Sequence, residues 1–223
     1  MAWQPTDTQV LHLTEYQVTE YQVTEHQTAR LTLRRANEDD LDDLYSLDDD
    51  PRVMRFLNGG TPTPRDVFKA HNFPQFLSAE DNRPGFGFWL AHETDSEKFV
   101  GWFSLRGSIE TAELGYRLAF WSWGKGYATE GAYRVVERGF DIAGVQRITA
   151  QTYEDNVASQ SVLTKVGLSL KRRFRLAEND IAASTTTFSA SNEVWDGDDL
   201  EFELERDRWQ RCRTADGSPR ESS

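Results

Sequence analysis

A chain of 223 residues, 38% of them hydrophobic, is long enough for one domain with a sizeable core. Its 13 Phe, 7 Trp and 7 Tyr are not typical of disorder, and a formal net charge of −12 argues against general nucleic-acid binding. Cys212 is the only cysteine, so no intramolecular disulfide forms, and no apolar run reaches the roughly 18 residues of a membrane-spanning helix. Because a signal-peptide pattern is absent at the start, we expect a cytoplasmic protein.

The N-terminal region is repetitive. Residues 14–28 read TEYQVTEYQVTEHQT, a five-residue unit repeated almost three times. This period matches neither a strand nor a helix. We therefore predict an extension over residues 1–28, which is either a loose tail or an arm docked on the domain or on a second subunit. The domain proper then covers residues 29–211, a tail covers 212–223, and a homodimer formed through the extension is the alternative to a monomer.

The first half of the domain alternates between strand and helix signals. RLTLRRA, from Arg30, has the alternation of a strand, and Asn37 is a suitable cap for a helix that buries Leu44 and Leu47. DDDP ends that helix, since the residue before a proline avoids helical backbone angles. A second helix begins at Thr63 with Pro64 in its first position, and Pro74 interrupts its regularity.

The second half is richer in strands. Its predicted elements are strands at 86–91, 99–105 and 112–120, a helix after residue 126, a strand at 146–153, a helix at 159–166, a strand near 168–176, a loop at 178–195 and a closing strand at 200–209. The expected fold class is α+β: a central, mostly antiparallel, twisted sheet of about six or seven strands with helices on both faces.

A glycine turn precedes the predicted long helix. In WSWGKGYATEG, Gly124 and Gly126 bracket Lys125. Glycine ends a strand at low cost and allows positive φ, which is a purely mechanical reason for the turn. It also lets an anion approach the bare N–H groups of a helix start, which is a chemical reason. The pattern is neither G-x-G-x-x-G nor a P-loop.

An ordered set of motifs surrounds this turn. AELGYRL, WGKGYATEG, N-x-x-S and K-x-G-L follow one another between residues 112 and 168. Over roughly residues 30–209 the chain resembles the GNAT superfamily of acetyl-CoA-dependent N-acyltransferases, in particular its RimJ/RimL-like branch. The resemblance implies a sheet splayed at the cofactor site, acetyl-CoA as co-substrate and direct transfer to an amine in a ternary complex. The four histidines show no metal-ligand spacing, and we assign no metal.

The resemblance also implies a cofactor site. The N–H groups from Gly124 to Ala128 would cradle the pyrophosphate, the strand from Tyr116 to Leu118 would pair with the pantetheine arm, and Asn156 would bond the arm or instead cap its helix. The predicted cofactor residues are Tyr116, Arg117, Leu118, Trp123, Gly124, Lys125, Gly126, Tyr127, Ala128, Asn156 and Ser159. Positive charge for the polyanion would come from cations that are alternatively plain surface residues: Lys125, Lys165, Lys171, Arg172, Arg173 and Arg175. Trp121 stands where the family often has Gln or Arg.

Acyl transfer to an amine needs a base for the amine and a donor for the leaving thiolate. Glu113 is the predicted base, with a structural role in the sheet as the alternative and Glu154 or Asp155 as substitutes. Many relatives use a tyrosine seven positions after the asparagine, but this chain has Leu163 there. Ser159 is the predicted substitute, with helix capping as its alternative.

These residues predict an N-acetyltransferase whose acceptor is a primary amine: a protein N-terminus, an aminoacyl group or a small cationic amine. Deprotonating a lysine-like amine at pH 7 costs about 4.6 kcal/mol, whereas an α-amino group costs only about 1 kcal/mol. A non-catalytic module that binds acyl-CoA as a sensor or scaffold is the alternative function. In the family, residues 48–83 and 176–200 would hold the acceptor, and they carry no readable code.

Overall fold

One sheet organises the molecule. The computed structural model describes residues 26–78, 83–175 and 197–215. Within them, eight strands lie in the order β1-β2-β3-β4-β5-β6-β8-β7. The strands are β1 (His26–Gln27), β2 (Leu31–Arg34), β3 (Gly87–Glu93), β4 (Phe99–Gly107), β5 (Ala112–Leu118), β6 (Arg147–Tyr153), β7 (Ser169–Phe174) and β8 (Asp199–Glu205). Neighbouring strands are antiparallel except β5 and β6. The predicted α+β class is confirmed, with β1 as an additional strand that the alternation did not indicate.

The helices connect and cover these strands. They are α1 (Leu41–Asp48), α2 (Pro51–Asn58), α3 (Arg65–Val67), α4 (Phe73–Leu77), α5 (Tyr127–Asp141), α6 (Val157–Lys165) and α7 (Arg206–Ala215). A π-helical segment, Phe68–Asn72, joins α3 to α4, and 3-10 turns cover Glu38–Asp40 and Phe120–Ser122. The π-helical segment lies immediately before Pro74, where the sequence predicts an irregularity.

Each face of the sheet has its own core. On one face, α5 packs on β4 and β5 around Leu114, Ile148 and Phe140. Gly131 is required there, because a Cβ at this position would lie 2.2 Å from the Phe103 ring. On the other face, Leu44 and Leu47 of α1 join a second cluster that includes Phe68, Phe76, Phe88, Leu90 and Trp102. The prediction of helices on both faces is therefore confirmed.

Several element boundaries differ from the sequence prediction. DDDP ends α1 as expected, but it also begins α2, because Asp50 caps the new helix and Pro51 fits its first turn. Pro64 lies at the cap position of α3 rather than inside it. The closing strand stops at Glu205 instead of reaching residue 209: Arg206 begins α7, which places Trp209 against Phe140 with ring centres 5.6 Å apart. The predicted loop at 178–195 lies outside the described residues.

The only parallel pair of the described sheet is joined over a short stretch. β5 and β6 are paired only at Ala112–Ile148 and Glu113–Thr149. Beyond Glu113 the two strands separate, so the edge of β5 from Tyr116 to Leu118 faces an opening instead of a neighbouring strand. The sheet is therefore splayed between β5 and β6, at the position that the family resemblance implies.

Candidate active site

A cleft of about 430 Å³ lies at this opening. Its walls come from α2, the end of β5, the glycine turn, the first turn of α5 and one side of α6. Most of the predicted cofactor residues line it: Tyr116, Arg117, Leu118, Trp123, Gly124, Gly126, Ala128, Asn156 and Ser159. Residues that are distant in the sequence thus meet around one cavity.

The start of α5 has free hydrogen-bond donors. Gly126 is the cap residue, with a left-handed φ of 86° and no side-chain cap. The first helical hydrogen bond runs from the Glu130 amide to the Gly126 carbonyl at 3.1 Å, so the preceding amides lack helical acceptors. Gly124 has a φ of 72°, and a Cβ built on it meets nothing within 4 Å. These open donors fit the diphosphate of a CoA molecule.

Two predicted cofactor residues direct their side chains elsewhere. The Tyr127 hydroxyl donates to Glu93, and the Tyr127 ring is buried. The Lys125 ammonium lies 4.6 Å from the centre of the Trp121 ring. The Trp121 indole donates to the Phe99 carbonyl at 3.1 Å, so Trp121 fastens the turn to the start of β4. Neither Tyr127 nor Lys125 lines the cleft, and only their backbones remain candidates for a phosphate contact.

Of the other predicted cations, one lines the cleft and four form ion pairs elsewhere. Lys165 lines the cleft. Arg172 forms an ion pair with Glu201 at 2.6 Å, and Arg173 forms one with Glu154. Lys171 and Arg175 pair with Glu203 and Asp198. These four residues act in surface ion pairs, so Lys165 is the member of the group that is placed to face a bound anion.

Ser159 is part of a small polar group in the first turn of α6. Asn156 caps the helix: its side-chain oxygen accepts from the Ser159 amide at 3.1 Å. The alternative that Ser159 caps the helix is therefore wrong. The Ser159 hydroxyl instead lies 2.9 Å from the hydroxyl of Tyr116 on β5. Burial raises the pKa of Tyr116 to about 12, so its phenol stays protonated at neutral pH.

Glu113 lies at the point where β5 and β6 separate. Strand alternation places its side chain on the face opposite Tyr116, and it does not line the cleft. Burial raises the pKa of Glu113 to about 7; Arg106 opposes this rise and Glu201 adds to it. A carboxyl group with this pKa changes its protonation state at the pH where a general base operates best. The substitutes are less suitable, because Glu154 pairs with Arg173 and Asp155 is exposed.

A buried ion pair supports the other wall of the cleft. Arg117 of β5 donates to Asp48 of α1, and both side chains are almost fully buried. Asp48 also accepts from Thr63 at 3.4 Å and from Asn72 at 3.3 Å. The sequence analysis missed this role of Arg117. An acid four positions after Leu44, on the buried face of α1, was the available signal.

Comparison with protein families identifies the chain. A family model described as an acetyltransferase (GNAT) domain matches residues 30–169. The chain therefore belongs to the GNAT acetyltransferase family, as the sequence motifs predict. Assignment to the RimJ/RimL-like branch stays a prediction.

Curated relatives carry matching names. One is an Aspergillus fumigatus protein, FsC-acetyl coenzyme A-N(2)-transacetylase, which is 31% identical over 152 residues, covering 63% of this chain and 63% of that protein. Another is the uncharacterized N-acetyltransferase p20 of Bacillus licheniformis, which is 30% identical over 142 residues, covering 62% of this chain and 79% of that protein. The chain thus spans less than two thirds of the length of the first of these two relatives. The predicted class, an N-acetyltransferase, is supported by both.

Solved structures agree on the fold. A GNAT-family acetyltransferase from Bacillus anthracis superposes with a TM-score of 0.65 at 18% identity, covering 82% of this chain and 99% of that chain. A spermidine N-acetyltransferase from Vibrio cholerae, in complex with CoA and spermine, gives 0.64 at 14% identity, with the same coverage. In the part of the chain that the structure describes, no helix has the length and apolar character needed to span a membrane.

Proposed function

We propose that this protein transfers the acetyl group of acetyl-CoA to a primary amine while both substrates are bound. The observation that carries the proposal is the cleft at the β5–β6 opening, where the uncapped start of α5 and the hydroxyl of Ser159 share one cavity. The names of the curated relatives support the same reaction class. When bound, acetyl-CoA supplies the thioester from which the amine takes the acetyl group.

The start of α5 would hold the anionic end of the cofactor. A negative charge at an exposed helix start gains about 0.3–1 kcal/mol, and several amide donors act together on one phosphate group. Lys165, on the opposite wall, adds a positive charge to a protein whose net charge is −12. Asn156 positions the first turn of α6 through its cap, and it also lines the cleft.

Glu113 would take the proton that the attacking amine loses. Glu113 and Tyr116 are three positions apart on β5, which corresponds to roughly 10 Å along the strand. The proton therefore travels through water between the amine and the carboxylate. With a pKa of about 7, Glu113 is a strong enough base for an α-amino group and a weaker one for a lysine-like amine. Ser159 would donate a hydrogen bond to the departing sulphur.

A small cationic amine fits the acceptor side best among the three predicted classes. The charges around Glu113 are mixed, because Arg106 lies opposite it on β4 and the nearby acid Glu201 on β8 already pairs with Arg172. A cationic acceptor is attracted by the protein as a whole, whose net charge is −12. The Vibrio cholerae neighbour named for spermidine is consistent with this choice.

The test is a panel of amines with acetyl-CoA as donor. It should include a polyamine, free lysine, an aminoacyl amide and peptides with a free N-terminus. We expect amine-dependent release of CoA, together with the acetylated amine detected by mass spectrometry, and the highest kcat/KM for a small cation. Tight CoA binding by calorimetry without any acetylated product would instead identify a binding module.

A further inference from the structure

The tyrosine that the family resemblance leads one to expect on α6 is absent, but the cleft contains another one. Leu163 occupies the expected position and is buried in the core, with 1% exposure. Tyr116 enters the same region from β5, and its hydroxyl meets Ser159. This approach is open because β5 has already separated from β6 at that point.

The geometry points to Tyr116 as a positioning residue that directs the hydroxyl hydrogen of Ser159 into the cleft. This inference rests on the proposed function, since it concerns the leaving group of that reaction. It assigns Tyr116 a side-chain role in addition to the backbone contact predicted from the sequence. Tyr116 acts through Ser159 and is not itself a catalytic residue.

The hydroxyl hydrogen of Ser159 is not bonded within its own helix. A serine inside a helix commonly returns its hydroxyl hydrogen to a carbonyl one turn earlier. In this structure the Ser159 hydroxyl has the Tyr116 hydroxyl as its partner, and no carbonyl of α6 is bonded to it within the described residues. Its hydrogen is therefore not committed to the helix.

The direction of the bond between the two hydroxyls decides where the Ser159 hydrogen points. The Tyr116 oxygen lies 2.9 Å from the Ser159 hydroxyl and 3.3 Å from the Ser159 carbonyl. Either hydroxyl can donate across the shorter contact; we assign the donor role to Tyr116, because a phenol is more acidic than an aliphatic alcohol. When Ser159 accepts this bond, its own hydrogen has to point elsewhere, and both residues line the cleft.

Both hydroxyls are held in place by neighbouring residues. The Tyr116 ring packs against Phe103 with ring centres 6.1 Å apart, and the Ser159 amide is bonded to Asn156. Both oxygens are thus fixed from outside the pair. A hydroxyl held this way offers a preorganised hydrogen bond where negative charge develops.

The chemical step is balanced without a further reactant. The amine nitrogen forms a bond to the acetyl carbon, the C–S bond breaks, and its electron pair stays on sulphur. Ser159 donates a hydrogen bond to the thiolate, which later takes a proton from solvent, while the proton of the amine passes through water to Glu113. Tyr116 loses no proton in this sequence.

The test compares Tyr116→Phe, Ser159→Ala and the double variant, with Tyr133→Phe as the matched control. Tyr133 lies on α5 and packs against Trp209 of α7, with ring centres 5.3 Å apart, and it does not line the cleft. We expect Tyr116→Phe to lower kcat about 10²-fold, the lower end of the effect of a positioned group, with an unchanged KM for acetyl-CoA. The double variant should be no slower than Ser159→Ala, because the two residues act as one unit.

A second measurement does not depend on turnover. The thiol of bound CoA can be titrated through the ultraviolet absorbance of its thiolate. We expect Tyr116→Phe and Ser159→Ala each to make the bound thiol a roughly tenfold weaker acid, and Tyr133→Phe to leave it unchanged. If Tyr116→Phe leaves both kcat and thiol acidity as in the wild type, the inference is wrong. If no amine is acetylated by the wild type, the proposed function fails, and the thiol titration still decides the role of Tyr116.

Discussion

The two helices that border the cleft begin in different ways. α5 begins at Gly126, which has no side chain to cap the helix, whereas α6 begins at Asn156, whose side chain accepts from the Ser159 amide. Both helices have the same shortage of acceptors for their first amides. In α6 a side chain of the protein satisfies one of these amides, and in α5 we expect a ligand to supply the acceptors. A helix start that remains uncapped beside a cavity is therefore the better indication of a ligand-binding site.

The largest effect is expected at Glu113, which belongs to neither helix start. If α5 binds the cofactor and α6 presents Ser159, the proton of the amine still needs a base. Glu113→Gln should lower the rate at pH 7 by about 10²–10⁴-fold, and by less at high pH, where the amine deprotonates by itself. The measurement is a pH–rate profile of kcat/KM for both forms.

The melting temperature of the variant distinguishes a catalytic role of Glu113 from a structural one. Burial raises the pKa of Glu113 from 4.5 to about 7, so the folded state holds the proton more tightly than the unfolded chain does. The contribution of this group to stability is therefore complete below pH 4.5 and decreases as the pH rises through 7. Glu113→Gln removes a buried charge and should not lower the melting temperature above pH 7. A flat rate profile with a lowered melting temperature would contradict the assignment.

The next effect concerns the start of α5. Gly126→Val places a branched side chain at a φ of 86°, and its Cβ would lie 3.3 Å from the Arg30 guanidinium. The left-handed backbone alone costs roughly 1–2 kcal/mol. Because the side chain also obstructs the open amides, we expect CoA affinity to fall by more than about tenfold in calorimetry.

Gly144→Val is the matched control for this change. Gly144 has a φ of 74° with open space around its Cβ, and it does not line the cleft. It should therefore lose stability to a similar degree while CoA affinity per folded molecule stays normal. Equal affinity losses in the two variants would mean that backbone strain, and not the anion site, explains the result.

A smaller effect is expected at the start of α6. Asn156→Ala removes the cap and should lower the free energy of unfolding by about 0.5–2 kcal/mol, as measured by denaturant titration. Asn156→Asp preserves an acceptor at the cap and serves as the control. CoA affinity should change little, because the side-chain oxygen of Asn156 is already engaged with the Ser159 amide. A tenfold loss of affinity would favour the alternative in which Asn156 bonds the cofactor directly.

The sequence predicts the local motifs of this site but not the contacts between residues that are distant in the chain. The glycine turn and the strand AELGYRL are local patterns, and the structure has them at the expected positions. The pairs Asp48–Arg117 and Tyr116–Ser159 join residues that are 69 and 43 positions apart. Such partners depend on how the sheet is ordered and where it separates, which hydrophobic periodicity does not encode. α2 was missed because DDDP contains both the end of one helix and the cap of the next.

The smallest effect is expected from deleting residues 1–25. Comparing this deletion with a slightly longer one tests which residues support the start of α5. Arg30 donates to the Lys125 carbonyl at 2.9 Å, and its amide donates to Glu130 on the first turn of α5 at 2.8 Å. The Thr28 hydroxyl also bonds to Glu130, at 2.5 Å. We therefore propose that the domain begins at residue 26 rather than 29, with residues 26–28 supporting the anion site.

Two truncations test this boundary. Deleting residues 1–25 removes most of the repeat but leaves its last three residues, which include β1 and Thr28, so melting temperature and CoA affinity should stay close to those of the full chain. Deleting residues 1–28 also removes the Thr28 bond to Glu130 and the pairing of β1 with β2. It should lower stability by about 1 kcal/mol, the net value of a typical hydrogen bond, and weaken CoA binding slightly. If the shorter deletion unfolds the domain, the repeat is a structural element, and if it changes only the oligomer size, the repeat is an interface arm. Equal behaviour of the two truncations would show that the uncapped start of α5 keeps its geometry without support from residues 26–28.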